Sequence, residues 1–236
     1  MSGPPEVPDV TGSSKKIKSK ITEATNGVDY GSAFVNRVVR FFLENSYPFF
    51  TGQTSFFILG SYDEYPIRRL HFSETQLNKR PQTYAFLLCD LLDPERFETD
   101  ETDSEGSETD AGDGEGTADN GETDDGETPR DPPETHCKFY LLASYADYLV
   151  PIFEGRHAGP SVELGEVRNN FFDKTHAFRR DYDELADDDL DNGVDPTNPY
   201  SQPQEDVLGL LDRVGRLYEW THRGDLAQEL DSLPKR

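Results

Sequence analysis

Apolar and polar residues follow one another along the chain in blocks that predict an α/β domain. At residues 31–44 the apolar positions recur at helical spacing, which predicts a first helix. Continuous apolar runs at residues 55–59, 84–91 and 148–153 predict buried strands, and residues 175–179 predict a further strand. Because strands that are apolar throughout are covered on both faces, this pattern favours a mostly parallel sheet between helices.

Four further segments complete the predicted fold. Residues 160–170 predict a helix, whereas residues 138–142 fit either the end of a helix or a strand. The apolar positions from 207 to 218 predict an amphipathic helix, and Leu226 and Leu230 predict a short last helix. Strands alternating with helices in this way predict a three-layer, doubly wound (Rossmann-like), mostly parallel sheet of four or five strands.

Three segments have too few apolar residues to build a core. We expect residues 1–28 to form a disordered tail, and residues 97–135, which consist almost wholly of Asp, Glu, Gly, Thr and Ser, to form an acidic disordered insert. Residues 183–204 are expected to form a second acidic loop. The remaining segments, 29–96 and 136–232, are predicted to fold together as a single α/β domain.

Charge narrows the range of partners. The formal net charge is -24, and the segments 98–134 and 181–204 carry nearly all of it, with 16 and eight acidic residues. Such a surface repels phosphate backbones and anionic membranes, so nucleic-acid binding is not expected. Scarce lysine and abundant aspartate favour a halophilic protein kept dissolved in a salt-rich cytoplasm by hydrated carboxylates, although an ordinary protein with two acidic segments fits as well.

Cysteine usage and glycine motifs exclude several classes of site. Cys89 and Cys137 are too few for a disulfide framework, which fits a cytoplasmic protein, and their spacing from His136 selects no metal. Gly52 and Gly60 form neither a dinucleotide-binding motif nor a P-loop, so no cofactor is predicted. No apolar run is long enough to cross a bilayer, and no leader follows Met1, so neither a membrane anchor nor export is expected.

Two surfaces suggest binding partners. Residues 174–182 mix basic and aromatic side chains, a pattern that could contact a nucleotide phosphate, but a charged edge strand explains it more simply. The amphipathic helix at residues 207–218 could form a homodimer. Neither pattern identifies a ligand by itself.

Three short segments together resemble the nucleoside 2-deoxyribosyltransferase family. They are the Asp, apolar strand and Glu-Gly turn at residues 144–155, the Gly-rich helix start with a Glu-Leu-Gly triplet at residues 159–165, and the strand and loop at residues 56–61. TIR-like NAD-cleaving domains share a helix glutamate in the corresponding place. The layout also resembles a haloarchaeal family with no assigned function.

The resemblance implies a nucleoside or nucleotide ligand and the cleavage of an N-glycosidic bond. Glu163 would act as nucleophile or cation stabiliser and His157 as acid, although that family has an Asp where His157 stands. The implied ligand-binding residues are Gly60, Ser61, Tyr62, Asp147, Glu154, Gly159 and Ser161.

Each of these residues also has a simpler interpretation. A glutamate in the first turn of a helix is favoured by the helix dipole without any substrate, and an aspartate before a strand can end a helix. A non-catalytic nucleotide-binding domain or a protein-interaction domain therefore remains an alternative to an enzyme.

Overall fold

The computed structural model describes residues 10–62, 64–92, 134–155, 163–182 and 199–234. Five strands form one sheet among these residues: β1 (Thr54–Leu59), β2 (Thr83–Leu87), β3 (Tyr148–Phe153), β4 (Ala177–Arg180) and β5 (Leu217–Trp220). They lie in the order β2-β1-β3-β4-β5, and every pair is parallel. The predicted doubly wound α/β sheet is confirmed, with five strands.

Helices cover both faces of this sheet. They are α1 (Val10–Ala24), α2 (Gly31–Asn45), α3 (Glu64–Asn78), α4 (Leu88–Leu92), α5 (Glu134–Tyr145), α6 (Glu163–Glu166), α7 (Gln202–Arg213) and α8 (Arg223–Ser232). A π-helical turn, Val167–Phe171, continues α6 directly, and 3₁₀ turns occupy Tyr47–Phe50 and Phe172–Lys174.

Alternate strand residues enter different cores. On one face, Phe57 and Leu59 of β1 pack in a cluster with α1, α2 and α5, while α6 and α7 pack over Phe153 of β3. On the other face, Phe56 and Ile58 pack under α3 and α8. Because both faces of β1 and β3 are buried, these strands read as continuous apolar runs, which is why the sequence predicts them well.

The second half of the sheet departs from the prediction in two places. The predicted helix over residues 207–218 ends at Arg213, and Gly215, with φ of 67°, turns the chain into β5. Residues 174–182 do not form an edge strand, because β4 lies between β3 and β5. The charge of Arg179 is instead compensated across the sheet by Glu219, its register partner on β5.

Helix α1 lies within the segment predicted to be a disordered tail. Its buried residues Ile17, Ile21 and Ala24 form a narrow stripe that packs against α5. The remaining residues of this helix are mostly polar, so the apolar stripe was too sparse to mark a helix in the sequence. Residues 138–142, for which the sequence allowed either a helix end or a strand, are also helical, as part of α5.

The acidic segments fall mainly outside the described residues. The predicted insert, 97–135, contributes only its last two residues, with which α5 begins, and the loop 183–204 contributes residues 199–204. The chain on the two sides of the insert joins one sheet, in which β1 lies between β2, the strand before the insert, and β3, the strand after it. No helix of the described residues has the length and apolar character that crossing a membrane requires.

Candidate functional site

The candidate site lies where the strand order reverses. The chain leaves β1 for β2 on one side and returns to β3 on the other, so the loops after β1 and β3 leave neighbouring strands at the same edge. In doubly wound sheets this is the place where ligands bind. We call residues 60–62 and 154–155 together the β1–β3 rim.

Gly60 is required by packing on this rim. A Cβ atom at this position would lie 2.6 Å from Cδ2 of Leu70 on α3 and 3.3 Å from the backbone oxygen of Ile152. Ser61 and Tyr62, which follow, are half-buried, and Tyr62 packs against the cores on both faces of the sheet. The glycine therefore lets α3 approach β1, and the next two residues are the ones that present side chains at the rim.

Glu154 is buried at the carboxyl end of β3. Its carboxylate forms an ion pair with the guanidinium of Arg69 on α3, and its side chain is 2% exposed. The same guanidinium stacks over the ring of Trp220, and the Tyr182 hydroxyl donates a hydrogen bond of 2.9 Å to the backbone oxygen of Glu154. Glu154 thus connects α3, β3 and the end of β4, which is a structural role.

Two residues near the start of α7 close the carboxyl ends of β3 and β4. The Tyr200 hydroxyl donates to the backbone oxygens of Arg180, at 2.6 Å, and Phe153, at 3.3 Å. Burial raises the pKa of Tyr200, so the phenol stays protonated and remains a donor. Gln204 donates through Nε2 to the backbone oxygen of Gly155 at 3.3 Å. These hydrogen bonds fix the backbone at the end of β3 to the start of α7.

Glu163 is the first residue of α6, and its side chain lies outside the described part of the structure. The next residue, Leu164, is buried in the cluster that contains Phe153 and Tyr182. The same cluster also contains Ala177, the first residue of β4, so it covers the face of β3 and β4 from one end to the other. In the chain, α6 follows the carboxyl end of β3 and leads to β4. His157, Gly159 and Ser161 lie outside the described residues.

Asp147 lies at the other edge of the sheet. Its Oδ2 accepts hydrogen bonds of 2.9 Å from both the backbone N-H and the hydroxyl of Ser55, and its own N-H donates to that hydroxyl at 2.9 Å. These bonds join the amino ends of β1 and β3. The structure therefore brings Gly60, Ser61 and Glu154 to one edge but does not bring Asp147 to them.

One group of side chains among the described residues could hold a metal ion. His71 and Glu74 lie one turn apart on α3, and Asp90 lies on α4. The distances are 3.5 Å from Nδ1 of His71 to Oε2 of Glu74 and 3.8 Å from Nε2 of His71 to Oδ1 of Asp90. We call these three residues the His71 cluster.

Burial shapes the charge of the His71 cluster. It raises the pKa of both carboxyl groups, and the pKa of Glu74 is raised further by the charge of Asp90. The neighbouring Cys89 thiol, 3.5 Å from Oδ1 of Asp90, has its pKa raised to about 12, mainly by burial. It is therefore a neutral thiol at neutral pH.

The sequence did not indicate the His71 cluster, because the cluster combines a His-x-x-Glu pair on α3 with an Asp on another helix. It did not point to Arg69, Arg180, Tyr182 or Tyr200 as supports of the rim either. Only the His-x-x-Glu spacing was visible as a signal, since it places two ligands on one helix face.

A surface depression of about 280 Å³ lies between the π-helical turn and α7. Two arginines and two acidic residues are among its lining residues, so their formal charges balance: Arg168, Arg213, Glu205 and Asp206. None of the predicted site residues whose side chains the structure describes lines it, and the residues of the β1–β3 rim are not among its lining residues.

Comparison with protein families identifies one relationship. The model of a family of unknown function, DUF8170, matches residues 1–103 and 120–198, and the chain belongs to that family. Neither the curated proteins nor the solved structures contain a significant match to this chain.

Proposed function

We propose that this protein binds a nucleoside or nucleotide at the β1–β3 rim and cleaves its N-glycosidic bond, with Glu163 supplying the carboxylate. The observation that carries the proposal is the place of α6, which follows the carboxyl end of β3 in the chain, leads to β4, and buries Leu164 in the cluster that contains Phe153 and Tyr182. We therefore assign Glu163 to the edge where doubly wound sheets bind ligands.

The chemistry requires a carboxylate near the sugar. Cleavage of the bond between a sugar and a base develops positive charge on the sugar carbon, which a carboxylate can stabilise or capture. Glu154 and Asp147 already serve the fold through Arg69 and Ser55. Glu163 is therefore the predicted carboxylate to which we assign the chemical role, and His157 is the proposed acid for the leaving base.

The exposed part of the rim suits a sugar or a base. The hydroxyl of Ser61 can donate and accept hydrogen bonds, and the ring of Tyr62 offers a flat apolar surface with a polar end. Both side chains are half-buried, so they reach solvent while being held by the fold. We expect this loop to contact the ligand.

The first experiment measures binding. The thermal midpoint of the protein in molar KCl is recorded with NAD, deoxynucleosides and free bases, because a ligand that binds only the folded state raises that midpoint. We expect at least one of these compounds to raise it in the wild type and in Glu163→Gln. The absence of a shift with every compound would contradict binding at the rim.

The second experiment measures chemistry, as release of free base detected by chromatography. We expect the wild type and the control Glu205→Gln, which changes an exposed glutamate on α7, to release base, and Glu163→Gln to lose the activity. Retained turnover in Glu163→Gln would contradict the role of this residue. A thermal shift without base release by the wild type would instead identify a non-catalytic nucleotide-binding domain.

A further inference from the structure

We infer that the His71 cluster binds one divalent transition-metal ion, Zn²⁺ or Mn²⁺, at a site separate from the β1–β3 rim. The cluster offers one imidazole nitrogen and two carboxylate oxygens. Its three ligand atoms, one from each residue, lie within 4.8 Å of one another. The three residues belong to α3 and α4, and the sheet holds both helices in place. Helix α3 packs on β2, and α4 begins directly after β2 in the chain.

The three donors are near enough for one ion to gather them. Ligand bonds of about 2.1 Å in tetrahedral or octahedral geometry place neighbouring donor atoms roughly 3.0–3.4 Å apart. The distances of 3.5 and 3.8 Å start from different nitrogens of the His71 ring, and one ion takes only one of them. With one donor atom from each residue, the three donors lie within 4.8 Å of one another, so an ion must draw them closer together. Rotation of the side chains can close the difference without moving either helix.

Charge favours a cation at this place. Glu74 and Asp90 are both partly buried, and each has a carboxylate oxygen within 4.8 Å of the other donors of the cluster. A divalent ion between them would remove the repulsion and replace the lost hydration. The geometry and the charge therefore point to the same ligand.

The donor set narrows the choice of ion. Calcium takes six to eight oxygen ligands and magnesium keeps several waters, so neither gains from an imidazole. Imidazole suits zinc and carboxylates suit manganese, so both ions fit a mixed set of one nitrogen and two oxygens. We place Cys89 outside the set, because its thiol contacts Asp90 and is not part of the group of mutually close donor atoms.

The site is open to solvent and has room for a further ligand. The side chains of His71, Glu74 and Asp90 are 32%, 23% and 28% exposed. Three protein ligands leave at least one position for water or a substrate group. Arg69, which contacts Glu154 at the rim, precedes His71 by two residues and so lies on the opposite side of α3. The metal site does not depend on the proposed nucleoside chemistry.

The test is a titration of the full-length chain after removal of metals with a chelator. Zn²⁺ and Mn²⁺ are added in molar KCl and followed by calorimetry, because high salt screens weak binding by the exposed acidic segments. We expect one tight site per chain. Glu74→Gln and Asp90→Asn should each weaken it by about 100-fold or more, since even the outer partners of metal ligands are worth about 10- to 100-fold.

The chain contains a matched control. His222 and Asp225 form a similar pair on α8, with 3.7 Å between Nδ1 and Oδ2, but belong to no three-ligand group among the described residues. Asp225→Asn should leave the tight site unchanged. Equal affinity in the wild type, Glu74→Gln and Asp90→Asn, or only many weak equivalent sites, would overturn the proposal.

A second measurement does not require the variants to fold. In the wild type, Mn²⁺ at low occupancy should broaden the backbone amide NMR signals of residues 71–74 and 88–90 first, because paramagnetic broadening falls steeply with distance. The signals of residues 222–225 should broaden only at higher concentration. Broadening that begins in the acidic segments, or near His222, would overturn the assignment to the His71 cluster.

Discussion

Helix α3 contributes side chains to two clusters that contain buried or partly buried carboxylates. The two clusters differ in how the charge of the carboxylates is compensated. On one side its Arg69 meets the carboxylate of Glu154, so the protein supplies its own cation. On the other side His71 and Glu74 meet Asp90, and two carboxylates share one imidazole. The first arrangement is complete and holds the fold together, whereas the second carries excess negative charge that an added ion can neutralise.

The largest effect is expected from breaking the complete pair. Glu154→Gln leaves the guanidinium of Arg69 without its carboxylate in a mostly buried place, and loss of one partner of a buried ion pair typically costs about 3–5 kcal/mol. We expect the free energy of unfolding, measured with urea, to fall by that amount. The control Glu219→Gln removes an exposed partner of Arg179 and should cost about 1 kcal/mol or less.

A double variant sharpens this result. If the cost arises from the abandoned charge, Arg69→Met combined with Glu154→Gln should lose less than the sum of the two single losses. Additive losses would mean that each side chain stabilises the fold through separate contacts, such as the stacking of Arg69 on Trp220.

A buried histidine is expected to give the next largest effect. Burial and, to a smaller extent, the charge of Arg216 together lower the pKa of His176 from its ordinary 6.5 to about 4. Its Nδ1 lies 3.1 Å from the Tyr218 hydroxyl, so the neutral ring has a hydrogen-bond partner in the fold. Because burial and a nearby cation both disfavour the charged ring, protonation of His176 works against the folded state.

The pH dependence follows from that direction. Between pH 6.5 and 4 the unfolded chain binds the proton of His176 more readily than the folded chain, so this stability is present above pH 6.5 and is lost on acidification to about 4. We expect a loss of about 2–3 kcal/mol in wild type relative to His176→Asn, measured by urea unfolding across this range. The same pH dependence in wild type and variant would contradict the assignment, and His222→Asn serves as the exposed control.

A smaller effect is expected at the opposite edge of the sheet. Asp147 is compensated by hydrogen bonds from Ser55 rather than by a guanidinium at contact distance. Asp147→Ala leaves the Ser55 N-H without this acceptor, which should cost about 1–3 kcal/mol in thermal or urea unfolding. Asp173→Ala, in a 3₁₀ turn, is the control. A loss as large as that of Glu154→Gln would show that the two carboxylates do not differ in the way proposed.

The sequence predicted the elements whose residues pack on both sides. β1 and β3 are continuous apolar runs and were predicted within a residue of their observed ends. β5 was missed because Leu217 and Tyr218 continue the helical spacing of α7, and the positive φ of Gly215 that ends the helix has no apolar signature. The same limit applies to α1, whose buried positions are few.

The candidate site was only partly predictable. The sequence placed Gly60 and Glu154 at the ends of strands, and the sheet brings those ends together. It could not show that Glu154 forms an ion pair with Arg69, which lies 85 residues away in the chain. Nor could it join Asp90 to His71, because local periodicity carries no information on which helices meet.

The smallest expected effect completes the comparison between the two sides of α3. In the presence of a chelator, Glu74→Gln and Asp90→Asn each remove one of two neighbouring carboxylates, whose side chains are partly exposed. The free energy of unfolding should therefore fall by no more than about 0.5 kcal/mol, or should rise because repulsion is lost. When Zn²⁺ is added, the thermal midpoint of the wild type should increase and that of both variants should not, because the ion stabilises only the chain that binds it. Urea and thermal unfolding of the metal-free and metal-loaded proteins measure both halves. A loss in chelator of the size expected for Glu154→Gln would mean that the His71 cluster is itself complete and structural, with no excess charge for an ion to neutralise.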